Sequence, residues 1–384
     1  MKRALVFASL SVLTVLLGCG DSGGQKTAPA ASGSAKKPAA SAAGSAKAAS
    51  GPKPIDRKNL AVFEQLPKES KSDKNPATPA KVALGRQLYF DTRLSKNHDV
   101  SCNTCHNLET YGVDNKPVSE GHGKQKGTRN SPTVYGAALH TVQFWDGRAA
   151  DVEEQATGPI VNPVEMAADE KRVVETLTSI PEYKKAFEES FPDEKEAVTL
   201  VNVGKAIGAF ERTLLVSGKW DKYLAGDDAA LSQDEKNGLS VFMDSGCTSC
   251  HGGAMVGGNM LMKLGAVKPW TDEKDKGKFE VTKDEKDKMF FKVPTLRNVA
   301  KTAPYFHDGS VSDLGEAVKK MAFHQNGLEI SADEIKAVVA FLGALTVEIP
   351  AEMTKAPELP KSTPKTPKPD PAVASAAGEE KKGG

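Results

Sequence analysis

Cys102-Asn103-Thr104-Cys105-His106 and Cys247-Thr248-Ser249-Cys250-His251 are two copies of one chemical pattern. In C-x-x-C-H the two thiols are spaced to add to the vinyl groups of a haem, and the histidine beside the second cysteine becomes an iron ligand. One C-x-x-C alone would leave zinc or dithiol chemistry open. Two C-x-x-C-H motifs, in a chain with export features and no other unexplained cysteine, point to two covalently bound haem c groups. The sixth position of each iron then decides function. Histidine or methionine there makes an electron carrier, and an open or displaceable position allows small-molecule chemistry. The histidines outside the motifs are His98, His122, His140, His307 and His324. Spacing does not choose among them.

The chain around these motifs has 384 residues, which suits two domains. Hydrophobic residues make up 39% and charged residues 26%, enough for a globular core. A formal charge of +1 argues against nucleic acid as a partner. The fifth cysteine, Cys19, follows a basic start (Lys2, Arg3) and an apolar run from Ala4 to Leu17 that is too short to span a bilayer comfortably. Leu16-Leu17-Gly18-Cys19 resembles the lipobox of bacterial lipoproteins. Residues 1–19 are therefore read as an export signal with lipidation at Cys19. Residues 20–54, of Ala, Ser, Gly, Lys and Pro, are expected to be a disordered linker, and residues 350–384 a disordered tail.

The body between them predicts a mainly α fold. Thr78-Pro79 reads as an N-cap with proline in the first helical turn. Ser232 with Glu235, and Ser331 with Glu334, read as capping boxes. Ile335, Val338, Val339 and Leu342 share one helical face. Helices are also expected over 173–191 and 200–216. Helix, loop and C-x-x-C-H open both halves, so two tandem class I cytochrome c-like domains are expected, each with one haem, over 55–215 and 216–349. The charge-dense run Thr271 to Lys288 is expected to be a solvated surface excursion.

From Cys102 to about Met321 the chain resembles the bacterial dihaem cytochrome c peroxidases. The resemblance rests on Gly121-His122, on Arg129 to Thr133 (RNSPT), on Phe144 to Ala149 (FWDGRA), and on Glu154-Gln155-Ala156. It continues in Asn162 to Met166 (NPVEM), Val293 to Asn298 (VPTLRN) and Pro304 to Gly309 (PYFHDG), besides both haem motifs. The related enzymes that mature a tryptophan-derived quinone cofactor are similar too, but they carry tyrosine at the position of Met321. The resemblance implies that the His106 haem is the peroxidatic one, with His122 as a distal ligand that leaves when the other haem is reduced. It implies Glu165 as acid–base catalyst and Gln155 as the residue orienting peroxide. Trp145 would lie between the haems, where packing alone also explains a tryptophan. Met321 would be the distal ligand of the His251 haem, and a thioether there raises its potential. A calcium ion would be held by Asn130 and by the carbonyls of Thr302 and Pro304.

The function so implied is reduction of hydrogen peroxide with electrons from a small cytochrome c or cupredoxin, by a periplasmic protein lipid-anchored to the outer membrane. Family members are often dimers, and the sequence identifies no interface. Three other readings stay open at this stage: an electron-transfer protein, an oxidase of a protein side chain, and a peroxide sensor. Glu165 and Gln155 weigh against a pure carrier, which needs no acid–base pair.

Overall fold

Threonine 78 begins the ordered body as expected. Its hydroxyl accepts a hydrogen bond from the amide of Lys81, and Pro79 opens helix α1 (Pro79–Phe90). In the computed structural model, residues 55–272 and 274–372 are described. The export signal, Cys19 and the linker expected over 20–54 lie outside them. The remaining long helices are α2 (Val152–Val161), α3 (Glu170–Thr178), α4 (Pro181–Ser190), α5 (Leu200–Glu211), α6 (Lys219–Leu224), α7 (Gln233–Asp244), α8 (Leu314–Asn326) and α9 (Ala332–Ala344). The helix expected over 173–191 is two helices, because Pro181 starts a new one after Ser179 and Ile180. The helix expected over 200–216 ends at Glu211. Both expected capping boxes are present, at the starts of α7 and α9. Among the described residues the sheet is one antiparallel pair, β1 (Leu261–Lys263) and β2 (Phe290–Lys292), with Leu261 opposite Lys292.

Two apolar cores hold these elements. In the first, Leu84, Leu88 and Tyr89 of α1 pack with Val203, Ile207 and Phe210 of α5 and Ile160 of α2. In the second, Leu239 and Phe242 of α7 pack with Val338, Phe341 and Leu342 of α9. The helix crossings repeat one device. A Cβ on Gly85 would lie 1.8 Å from the carbonyl oxygen of Ala206, and one on Gly238 would lie 1.8 Å from that of Ala337. Each glycine lets the partner helix's backbone touch its own. Each crossing precedes a haem motif, so the same contact occurs twice along the chain.

The ends of the body cross between the cores, which the boundaries 55–215 and 216–349 did not anticipate. Leu60 and Phe63 bury in the second core, where Phe63 meets Trp220 edge-on at 5.1 Å. Ile349 and Met353 pack on the first. Residues 350–372 are not the free tail that their composition suggested. Their backbone carbonyls and hydroxyls are gripped by arginines of α1, α3 and the turn after α1. Arg86 donates to the carbonyl of Lys355 at 2.7 Å, Arg93 to Ser362 Oγ at 3.1 Å, and Arg172 to the carbonyl of Lys368. Thr363 donates to the carbonyl of Ser179 at 2.9 Å. Counting large apolar residues misses this kind of order, because main-chain acceptors do the holding.

Candidate active site

The first motif forms a single helical turn, Cys102–Cys105, entered by Ser101, whose amide donates to Thr104 Oγ1 at 2.9 Å. The turn places both thiols on one edge with His106 at its exit. Nδ1 of His106 lies 2.9 Å from the carbonyl of Pro132. A carbonyl only accepts, so Nδ1 carries the proton and Nε2 keeps its lone pair for a metal. Tyr89 of α1 locks the same residue by donating to its carbonyl at 2.6 Å. His251 repeats the arrangement, with Nδ1 3.3 Å from the carbonyl of Val256. The four motif thiols are free and half-buried. Burial pushes the Cys247 thiol up to about 11 and the Cys102 thiol well above its usual range. Half-buried thiols beside an imidazole with a free lone pair fit haem attachment. Among the described residues no cluster of three or more His, Cys, Asp or Glu side chains could hold a metal ion.

The structure brings His122 and Glu165 together. The amide of His122 donates to the carbonyl of Glu165 at 2.7 Å. Gly121 makes this approach possible, since a Cβ there would lie 2.2 Å from the carbonyl oxygen of Val164. NPVEM itself is a tight turn at the end of α2. Asn162 Oδ1 accepts from the amide of Val164 at 3.0 Å, and Asn162 Nδ2 donates to Glu165 Oε1 at 2.7 Å. Asn162 therefore builds the turn and aims the carboxylate. Burial raises the pKa of Glu165, against the opposing pull of Arg148 and of the Asn162 bond. The Glu165 charge also reaches Cys105, where it adds to burial in raising the thiol. The carboxylate thus sits beside the first haem motif.

His122 is 1% exposed. Its Nε2 donates to the carbonyl of Ala372 at 3.0 Å, while Nδ1 is sealed in packing without a partner. A cavity of about 460 Å3 lies alongside, lined in part by Val100, Thr104, Gly121, Gly123 and Pro371. Gln155 is half-buried on α2, and no hydrogen bond joins it to Glu165 or His122. Met321 is half-buried on α8.

Trp145 is buried in a small third apolar cluster with Trp270, Met289 and Phe291. Its Nε1 donates to the carbonyl of Asn130 at 2.9 Å, and its ring meets His307 edge-on at 6.4 Å. Asn130 donates its side-chain amide to the carbonyl of Lys116 at 2.9 Å. No described residue donates to Oδ1 of Asn130 or to the carbonyls of Thr302 and Pro304. The carbonyls of Lys301 and Ala303, on either side of Thr302, both accept from Asn115, at 3.2 and 2.9 Å. Three oxygen acceptors left over in this way fit a calcium ion.

Residues to which the sequence assigned no individual role complete the region. Arg129 binds Asp275 through two bonds of 2.6 and 2.8 Å and also reaches Asp146, which Arg148 bridges at 2.7 Å. The run 271–288 is thus more than the solvated excursion expected, because its Asp275 is pinned to a mostly buried arginine. Arg297 forks onto Asp221 at 3.0 and 2.7 Å. Lys292 and His140 are buried together, with Lys292 Nζ 3.3 Å from His140 Nδ1. A lysine inside the apolar run Phe290 to Val293 is the one signal the sequence carries for that pair.

Comparison with known proteins agrees with this geometry. The family model described as di-haem cytochrome c peroxidase matches residues 79–229. The chain is 46% identical over 315 residues to the cytochrome c551 peroxidase of Pseudomonas aeruginosa, covering 80% of this chain and 90% of that protein. It is 44% identical to the cytochrome c551 peroxidase of Nitrosomonas europaea, over 77% of this chain and 88% of that one. The methylamine utilization protein MauG of Methylorubrum extorquens is 36% identical, over 74% of this chain and 83% of that one. Among solved structures, a MauG-like protein associated with microbial copper homeostasis superposes with a TM-score of 0.69 at 26% identity, covering 77% of this chain and 97% of that one.

Proposed function

The chain belongs to the di-haem cytochrome c peroxidase family, and from that premise we propose how its residues divide the reaction. It is a cytochrome c peroxidase: hydrogen peroxide, two electrons and two protons give two waters. When bound, one haem supplies the iron at which the O–O bond breaks and the other supplies the electron relay.

Cys102, Cys105 and His106 hold the peroxidatic haem, and Cys247, Cys250 and His251 the relay haem, each in a cytochrome c-like domain. His122 is the displaceable ligand on the first side and Met321 the fixed ligand on the second. Glu165 carries a proton from one peroxide oxygen to the other, and Gln155 orients the substrate. A carboxyl lifted by burial suits that task, because acid and base forms are then closer in energy near neutral pH. Trp145, buried with its ring against His307, shortens the electron's path. Asn130, Thr302 and Pro304 hold a calcium ion that ties the domains. The donor is a small cytochrome c or cupredoxin. The protein works in the periplasm as a dimer, tethered through lipidated Cys19 to the outer membrane.

The observation that carries the assignment is the Asn162–Glu165–His122 clamp beside the first haem motif. Glu165→Gln keeps the size and the bond to Asn162 but cannot exchange a proton. It should lower peroxide turnover on the order of 100-fold with both haems attached. Unchanged turnover would remove Glu165 from this role.

A further inference from the structure

Lys292 is 4% exposed and His140 is 9% exposed. The Lys292 ammonium donates to His140 Nδ1 at 3.3 Å, which leaves the neutral imidazole protonated at Nε2. That Nε2 is buried without a partner, and no described carboxylate pairs with Lys292. Asp146 is the carboxylate whose charge Lys292 feels, yet Arg129 and Arg148 already engage it. An ammonium has three donors, so two remain without a protein partner. Burial strips the cation of hydration that these donors do not recover. A buried cation of this kind is retained where an anion meets it.

The surroundings say which anion. Gly258 lies against the imidazole, its Cβ position 2.2 Å from His140 Cδ2. Its neighbour Gly257 lies against the second motif, its Cβ position 3.3 Å from His251 Nδ1. The backbone amide of Lys292 donates to the carbonyl of Trp145 at 2.7 Å. The pair therefore sits between Trp145 and His251, in contact with the segment that supports the second haem's histidine. We infer that Lys292 binds a propionate carboxylate of the second haem, and that His140 orients the ammonium toward it. Burial lowers the Lys292 pKa to about 8 in the protein alone, and a carboxylate partner would restore the charge. The inference needs only the haems, and does not depend on the roles of His122, Glu165 or Met321.

A cation beside a haem carboxylate favours the reduced iron, so removing it should lower that haem's potential. The test is spectroelectrochemical titration of both haems in the holoprotein and in Lys292→Met and Lys292→Arg. In Lys292→Met the ferric/ferrous equilibrium of the second haem should move toward ferric by about tenfold or more, equivalent to 59 mV for one electron. The first haem should hardly move, and Lys292→Arg should keep most of the wild-type potential. If Lys292→Met fails to retain two haems, Lys292→Gln is titrated in its place. No shift in either haem, or a shift confined to the first, overturns the inference. So does a wild-type potential that follows added chloride at constant ionic strength, because a diffusible anion would then be the partner.

Discussion

At the scale of single residues, burial sets the chemistry. Glu165 is lifted by desolvation and steadied by Asn162, which is the balance an acid–base group needs. Glu211 shows the same force without such a balance. It is buried at the end of α5, and burial, reinforced by Glu153 and opposed by Arg212, raises its pKa to about 8. The unfolded chain releases this proton near 4.5, the ordinary value for a glutamate. Between those two values the folded state binds a proton that the unfolded state has lost, so stability falls as pH rises through the window. Glu211→Gln cannot ionise and should gain on the wild type from pH 5 to pH 8, read as a growing difference in urea midpoint. A constant difference would show that Glu211 does not titrate there. The sequence displayed the haem motifs plainly, because C-x-x-C-H is local. It did not display the Glu165–His122 contact, which is a backbone bond between distant loops. Nor did it display Lys292, since lysines are solvated by default.

At the scale of elements, caps were legible and crossings were not. Thr78, Ser232 and Ser331 each announce a helix start with a side chain, and each caps as expected. Gly85 and Gly238 gave no such sign, because their use depends on the backbone of another helix. Their contacts predict opposite outcomes for two substitutions in the second domain. A Cβ at Gly238 would meet Ala337 O at 1.8 Å, so Gly238→Ala should cost about 1–3 kcal/mol as overpacking. Gly343, in α9, has nothing within 4 Å of its Cβ position, so Gly343→Ala should stabilise by about 0.5–1 kcal/mol. Urea denaturation of both variants checks the pair. Equal effects would mean that the α7–α9 crossing tolerates a methyl group and that Gly238 there is incidental.

At the scale of the whole molecule, the crossing of the ends joins fold to site. Residues 350–372 run along the first domain, and their last described residue, Ala372, accepts from Lys96 at 2.6 Å and from His122. Composition forecast a tail here because proline, lysine and threonine bury little apolar surface. The arginines that grip its carbonyls and the Ser362 hydroxyl belong to α1, α3 and the turn after α1, far off in sequence. A chain ending at Glu348 should lose on the order of 3 kcal/mol, given about 0.5–1.5 kcal/mol for each net hydrogen bond removed. Its thermal midpoint should fall by several degrees, whereas a chain ending at Ala372 should match the full length. Equal midpoints for the two would mean that the strap adds no stability.

The central claim is that the first haem's histidine ligand gives way only when the second haem holds an electron. Hydrogen peroxide consumption by the holoprotein, with calcium present, tests this most directly when the fully oxidised and half-reduced forms are compared. The account predicts rapid consumption by the half-reduced form and little by the oxidised one. No consumption in either state, with the first haem remaining six-coordinate, would contradict it.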